Sequence, residues 1–272
     1  MRIKISHETT YAYASPARSI IQNLRLTPRS FDSQYVLRWR VSVDVDASLR
    51  MTEDCLGNVV HSLSHQKPVE RFAVSAIGEV ETSDAVGVVR GSVETLQPEM
   101  FLRASSLAGA NAALREFAQD AIAGVADPLE RLHLIMGALH KEMTFDPEAL
   151  ASKSGAAEAF AMKRGASGDF AHVFIACAHE LGIPARYVSG YVAPAEGEAR
   201  GLAAWAEAVT PGLGWVAFDP VHDLCANADY VRVAVGFDAL SAAPFRGAHS
   251  GGGEEVFTAK VRIEQAMGQS QN

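Results

Sequence analysis

The stretch YVLRWRVSVDVD, Tyr35 to Asp46, alternates between two faces with almost no break. Val36, Arg38 and Arg40 fall on one side; Leu37, Trp39, Val41, Val43 and Val45 fall on the other. A period of two belongs to a strand with one buried and one solvated face. Its neighbours read the same way from residue 1 to about residue 83. Tyr11 and Tyr13 alternate in a first strand, and Ile21, Leu24 and Leu26 sit in a second. Gly57-Asn58 marks a tight turn between EDCL and VVHSLSH, and Arg71 to Thr82 closes the region as a strand pair. The expectation for residues 1–83 is an antiparallel β-sandwich.

The pattern then changes. Residues 84–100 lose their periodicity and read as a linker, and residues 101–265 read as a second, α+β domain. Helices are expected over Ala112–Ala123, Pro128–Glu142, Gly155–Arg164 and Asp169–Leu181, the last stopping at Gly182. Strands are expected over Ala185–Val192, Ala204–Val209, Trp215–Phe218, Tyr230–Val235 and Val256–Ile263. Residues 266–272 read as a frayed tail.

Charge and cysteine usage narrow the function classes. A net charge of -8 without a clustered basic run argues against nucleic acid as a partner. No apolar stretch is long enough for a spanning helix, so no membrane role is expected. Cys55, Cys177 and Cys225 are far apart with no CxxC, which suits a reducing compartment. The first residues, MRIKISHETTYAYA, alternate instead of forming an apolar signal centre, and a bacterial-type cytoplasmic location is expected.

The chemically informative segment runs from Gly165 to Pro220: RGASGDFAHVFIACAHELGIPARYVSGYV, then AAWAEAVTPGLGWVAFDP. Ser167 stands where a loop enters an apolar helix. A thiol there gains from the open amides and the positive helix end, which lower its pKa. A serine hydroxyl gains too little and needs a base beside it. The plain alternative for Ser167 is a helix N-cap.

This segment resembles the core of the bacterial transglutaminase-like family, a branch of the papain-like thiol enzymes. The likeness rests on Asp169, Phe170, Ala171 and His172, on Gly182 through Tyr191, and on Ala204, Trp205, Gly214, Trp215, Phe218, Asp219 and Pro220. The DCLGN of Asp54 to Asn58 resembles the family's Asp-x-x-Gly-Asn turn, in a β-rich N-terminal domain that commonly accompanies the core. VRVAVGFD, Val231 to Asp238, fits the segment that usually follows. The resemblance implies a papain/transglutaminase-like α+β domain behind the β domain, and a Cys-His-Asp triad acting on glutamine or peptide amides without a cofactor. In this chain the implied nucleophile position holds Ser167 and the implied base position holds Ala203; Asp219 alone matches. Gly168 also replaces a residue that is usually larger and polar.

Other residues compensate poorly. His172, five positions after Ser167, lies roughly 140° around an ideal helix and points away. Cys177, ten residues along, reads as a core thiol. His222 is the one nearby imidazole able to swing in, and Asp219 without a histidine reads as a buried acceptor closing a loop. Tyr191 and Trp205 are candidates to line the old groove, with His222. Arg186 and Tyr187 are expected to stabilise the helix–strand junction. No metal is expected: His61 and His65 lie in strand-like sequence, and His133 and His140 lack an acidic or Cys companion. The expected function is a non-catalytic peptide- or protein-binding relative, beside an active paralogue or an ATP-grasp-type protein. The alternatives are an altered enzyme using Ser167 with His222 or an outside base, or an inactivated form of an active enzyme.

Overall fold

The computed structural model describes residues 1–147, 155–194 and 201–266. The expected frayed tail, from residue 267 on, lies outside the described residues. The chain is mixed α and β, with strands predominating.

β1 (Arg2–Thr27), β2 (Gln34–Val43), β3 (Ser48–Glu53), β4 (Val59–His65) and β5 (Val69–Thr82) form an antiparallel sheet in the order β2-β5-β1-β4-β3. The two strands expected within residues 11–26 are one continuous strand, β1. Its register against β5 shifts between Ala12 and Ala17, around Pro16, which has no N–H for a ladder. The buried alternation runs through both halves: Ile3, Ile5, His7, Thr9, Tyr11 and Tyr13, then Ile20, Gln22, Leu24 and Leu26. In β2 the alternation is broken by a register shift between Val36 and Arg38 and then holds, with Trp39, Val41 and Val43 packed on the apolar cluster around Phe72 and Leu24, as is Val45 just beyond the strand.

β6 (Val88–Val89) arises inside the segment read as a linker, because it pairs with the second sheet. α1 (Ala112–Ala121) and α2 (Pro128–Glu142) follow, with Asn111 and Asp127 as side-chain caps. Next come β7 (Thr144–Phe145), α3 (Ala156–Met162), β8 (Arg164–Gly165) and α4 (Ser167–Glu180). β7 and β8 pair in parallel, a contact between short segments that periodicity cannot reveal. The second sheet contains β9 (Ala185–Val192), β10 (Leu202–Thr210), β11 (Gly214–Asp219), β12 (Leu224–Cys225) and β13 (Tyr230–Gly236), ordered β12-β11-β10-β9-β13. α4 is buried almost all round, packing on α1, α2 and α3 and on the Ala204, Ala206 and Ala208 face of β10. Those alanines let a helix approach the strand closely.

β14 (Phe245–Gly251) and β15 (Glu255–Ala266) return to the first sheet and pair along β1. The sequence division, which runs the second domain to residue 265, assigns them to the other unit. Their partner is more than two hundred residues away, beyond the reach of any local pattern.

The two sheets meet over Ile3, Ile5 and Val80 from the first and Tyr191, Val231 and Val233 from the second. Two amide side chains lock this contact. Asn58 donates to the Val235 carbonyl and accepts from the Val235 amide, both at 2.8 Å. Gln34 does the same to Arg232, at 2.9 and 2.8 Å. Asn58 is held in turn by Asp54, which also accepts from Arg25 Nε and from the Leu56 and Asn58 amides. The role of the DCLGN turn is therefore to clamp one sheet to the other. Asn58→Ala removes two buried bonds and leaves the Val235 amide and carbonyl unpaired. We expect a loss of about 2–4 kcal/mol, read as a lower urea midpoint by circular dichroism; a change under about 0.5 kcal/mol would refute the clamp.

Candidate functional site

Ser167, Ala203 and Asp219 stand at the start of α4, in β10 and at the end of β11. β8 delivers the chain to Ala166, the N-cap of α4, and Ser167 is the first helical residue. Ser167 is thus not the cap. The cap position has no side-chain acceptor; instead Asp169 Oδ2 accepts from the Ala166 amide at 2.9 Å. The Ser167 hydroxyl accepts from the Ala204 amide at 3.1 Å, which ties the helix start to β10. Among the described residues that is its one hydrogen-bond partner, and no imidazole lies within hydrogen-bond distance of it.

Gly168 is explained by Tyr187 of β9. A Cβ at Gly168 would stand 2.7 Å from the Tyr187 hydroxyl, so the buried tyrosine occupies the room that a larger residue needs. Burial, with the nearby Asp169 and Asp238 carboxylates, pushes the Tyr187 hydroxyl well above its ordinary pKa, so it stays protonated.

Ala203 lies in β10 beside Ala204, partly exposed and packed with Trp205. Asp219 ends β11, buried. Its carboxylate is not idle. Oδ1 accepts from the Val221 amide at 2.9 Å; Oδ2 accepts from the Tyr230 hydroxyl at 2.6 Å and faces His222 Nδ1 at 2.8 Å. The expectation of an Asp219 without a histidine, serving as a loop-closing acceptor, is incomplete: the carboxylate holds the imidazole of His222, three residues on. The loop-closing role also exists, in the bond to Val221. His222 keeps part of its side chain exposed, and its ring lies 6.5 Å from that of Phe145.

The other two groove candidates are elsewhere. Trp205 is 1% exposed, edge-on to Tyr230 at 5.2 Å. Tyr191 is 1% exposed, its hydroxyl bonded to His7 Nδ1 at 2.9 Å in the contact between sheets. Both are corrections. The strands place these side chains in the interior, where Trp205 lines a small cavity with Glu207, Tyr230 and Arg232. Burial holds His7 low, at about 4, so it is neutral against Tyr191.

His172 turns away from Ser167, as helix geometry requires. It packs on Tyr187 with ring centroids 4.9 Å apart, and its Nε2 accepts from the Ala239 amide at 3.0 Å. Burial lowers its pKa to about 4. Cys177 is fully buried in α4, and burial pushes its thiol up to about 12, which leaves no thiolate at neutral pH. His133 packs on Phe218 and His140 bonds to the Val221 carbonyl, while His65 bonds to the Asp46 carbonyl. Among the described residues no group of three or more His, Cys, Asp or Glu side chains is placed to hold a metal. No helix among them is long and apolar enough to cross a membrane.

Sequence reasoning missed the strongest electrostatic feature. Arg186 does not cap the helix–strand junction; it joins Glu207 and Arg232 across the second sheet. Arg186 Nε donates to Glu207 at 2.7 Å, as does Arg232 Nε at 2.7 Å, and Glu94 grips the remaining Arg186 nitrogens at 2.5 and 2.9 Å. The guanidinium lies 3.8 Å over the Trp215 ring. The available signal was a lone Glu207 inside an otherwise apolar strand, since such a charge is buried only if paired.

Comparison with known proteins agrees with this architecture. Residues 115–220 match the transglutaminase-like superfamily model, and residues 3–81 match the bacterial transglutaminase-like N-terminal region. An uncharacterised protein of Mycobacterium leprae is 29% identical over 283 residues, covering 96% of this chain and 98% of its own length. One from Mycobacterium bovis is 26% identical over 272 residues, covering 90% of this chain and 87% of its own. A solved structure described as a candidate cysteine protease, from Cytophaga hutchinsonii, superimposes with a TM-score of 0.77 at 22% identity, over 97% of this chain and 90% of the other. That likeness is one of fold. Both family models are matched in order along one continuous architecture: a bacterial transglutaminase-like N-terminal region over residues 3–81, then a transglutaminase-like core over residues 115–220.

Proposed function

We propose that this protein is a transglutaminase-like fold with a degenerate triad, Ser167, Ala203 and Asp219, that binds an extended peptide or side-chain amide without acyl transfer of its own. The observation that carries this reading is the Ser167 hydroxyl. It accepts from the Ala204 amide and has no imidazole within hydrogen-bond distance to take its proton. Ala203 offers no titratable group, and the Asp219 carboxylate is already engaged by Val221, His222 and Tyr230. A hydroxyl without a base is a poor nucleophile. Exposed apolar side chains remain beside the site for a ligand: Leu202 directly before Ala203, and Phe145 against His222. An active paralogue or an ATP-grasp-type protein in the same cytoplasm is the partner class we would test first.

One observation favours a second reading. Asp219 and His222 form the carboxylate–imidazole half of a triad, with the His222 ring partly exposed. If His222 served Ser167 as base, the protein would be an altered enzyme acting on amides. A fluorophosphonate probe separates the two. We expect labelling of the native protein no greater than that of Ser167→Ala, and no turnover of glutaminyl or peptide amides. Labelling at Ser167 that disappears in His222→Gln would overturn the proposal and establish the second reading.

A further inference from the structure

Far from Ser167, the first sheet contains a polar cavity of about 320 Å³, lined by Gln22, His249, Glu255 and Arg246. It opens where β14 and β15 part company along β1, opposite the register shift around Pro16. Gln22 is the polar member of an otherwise apolar buried row, between Ile20 and Leu24, and is itself 6% exposed. Its Oε1 is buried with no hydrogen-bond partner. Buried polar atoms are nearly always paired, so each such orphan calls for an explanation.

The orientation of Gln22 is built, not incidental. It lies opposite Gly247 of β14, where a Cβ would stand 2.5 Å from the Gln22 Cγ. Only glycine leaves the side chain room to lie across the strand. His249 is oriented as well: its Nδ1 donates to the Gly251 carbonyl at 2.7 Å, so in the neutral ring Nε2 is an acceptor. That Nε2 is 3.8 Å from Glu255 Oε2. The two are too far apart to bond each other, yet close enough for one donor to reach both. The Phe245 ring lines the cavity, backed by Tyr11 at 6.2 Å, and His249 is backed by Tyr13 at 4.9 Å.

Three acceptor side chains lining one space, one of them a carboxylate, with the Phe245 ring beside them, match a compact cation carrying several N–H donors. One carboxylate suits a single positive charge better than a divalent metal, which takes more oxygen ligands. We propose that this cavity binds a primary ammonium group, as carried by an alkylamine or a lysine side chain. Gln22 Oε1, His249 Nε2 and Glu255 accept its three N–H bonds. Exposed Arg246 at the mouth favours the lysyl source, because a peptide brings carbonyl oxygens for the guanidinium to bond. The proposal stands independently of whether Ser167 is inert.

The test is calorimetric titration of the full chain with n-butylammonium chloride and with N-acetyl-lysine N-methylamide, at constant ionic strength. Both should bind, the lysine derivative more tightly, while n-butanol should not. Glu255→Gln should weaken binding roughly ten- to a hundredfold, the effect of losing a charge-assisted bond. Gln22→Leu should weaken it about tenfold, with unchanged circular dichroism as the check on folding. Glu255 lies at the rim, so that variant tests the site even if Gln22→Leu fails to fold. Equal affinity for butanol and butylammonium, unchanged affinity in Glu255→Gln, or no heat from either amine would overturn the proposal and leave the cavity to water.

Discussion

Replacing Glu207 by alanine is expected to cost about 3–5 kcal/mol of folding free energy, the usual consequence of breaking a buried ion pair. Glu207 is 0% exposed and Arg186 1%, so neither charge has water to fall back on. Without the carboxylate, Arg186 retains Glu94 and the Trp215 and Phe101 rings, and Arg232 loses both of its bonds to Glu207. Urea unfolding followed by circular dichroism measures the cost. A loss below about 1 kcal/mol would mean that the network behaves like a surface pair. Replacing all three members together by apolar residues of similar volume should recover most of the loss, because the desolvation of three charges disappears with their attraction.

The same group shapes the response to acid. Burial on its own would raise the Glu207 pKa, but the charges of Arg232 and Arg186 outweigh it and bring the carboxyl down to about 2. Its folded value therefore lies below its unfolded value of 4.5. A depressed carboxyl contributes stability that is complete above the unfolded value and disappears as pH falls through the folded one. Stability should thus drop between pH 4.5 and about 2. In Glu207→Gln that part of the slope should be absent. An identical acid transition in the two proteins would show that other carboxylates set it.

The second large effect tests the proposed absence of acyl transfer. Ser167→Cys alone should give a thiol at the start of α4 that alkylates slowly and turns nothing over. Adding Ala203→His should raise hydrolysis of glutaminyl or peptide amides by about three orders of magnitude or more, the usual weight of a triad base. Tyr230 and His222 already occupy Asp219 Oδ2, so a restored histidine must compete for it. Adding His222→Gln should therefore increase the gain further. Initial rates, with iodoacetamide alkylation against pH as a report on the thiolate, decide the matter. If the double variant is no faster than Ser167→Cys, the frame around Ser167 and Asp219 no longer supports acyl transfer.

The sequence alone determined the main helices, several of the longer strands and the family resemblance. The period-two alternation of Tyr35 to Asp46 located β2 and its inward face, and α2 fell at its predicted limits because Asp127 and Pro128 are local signals. The segments from Asp169 to His172 and from Gly182 to Tyr191 carried the resemblance that both family models bear out. Such features depend on near neighbours along the chain, so a linear reading recovers them. Only the tertiary structure decided where distant side chains meet. It paired β14 and β15 with β1, sent Tyr191 to His7, turned His222 onto Asp219 and stacked Arg186 on Trp215 beside Glu207. Each of these contacts joins residues that no local pattern relates, except His222 and Asp219, where a sharp turn after Pro220 brings the ring back. A strand's alternation says which side chains are buried; the packing of other strands and helices against it determines what they are buried against.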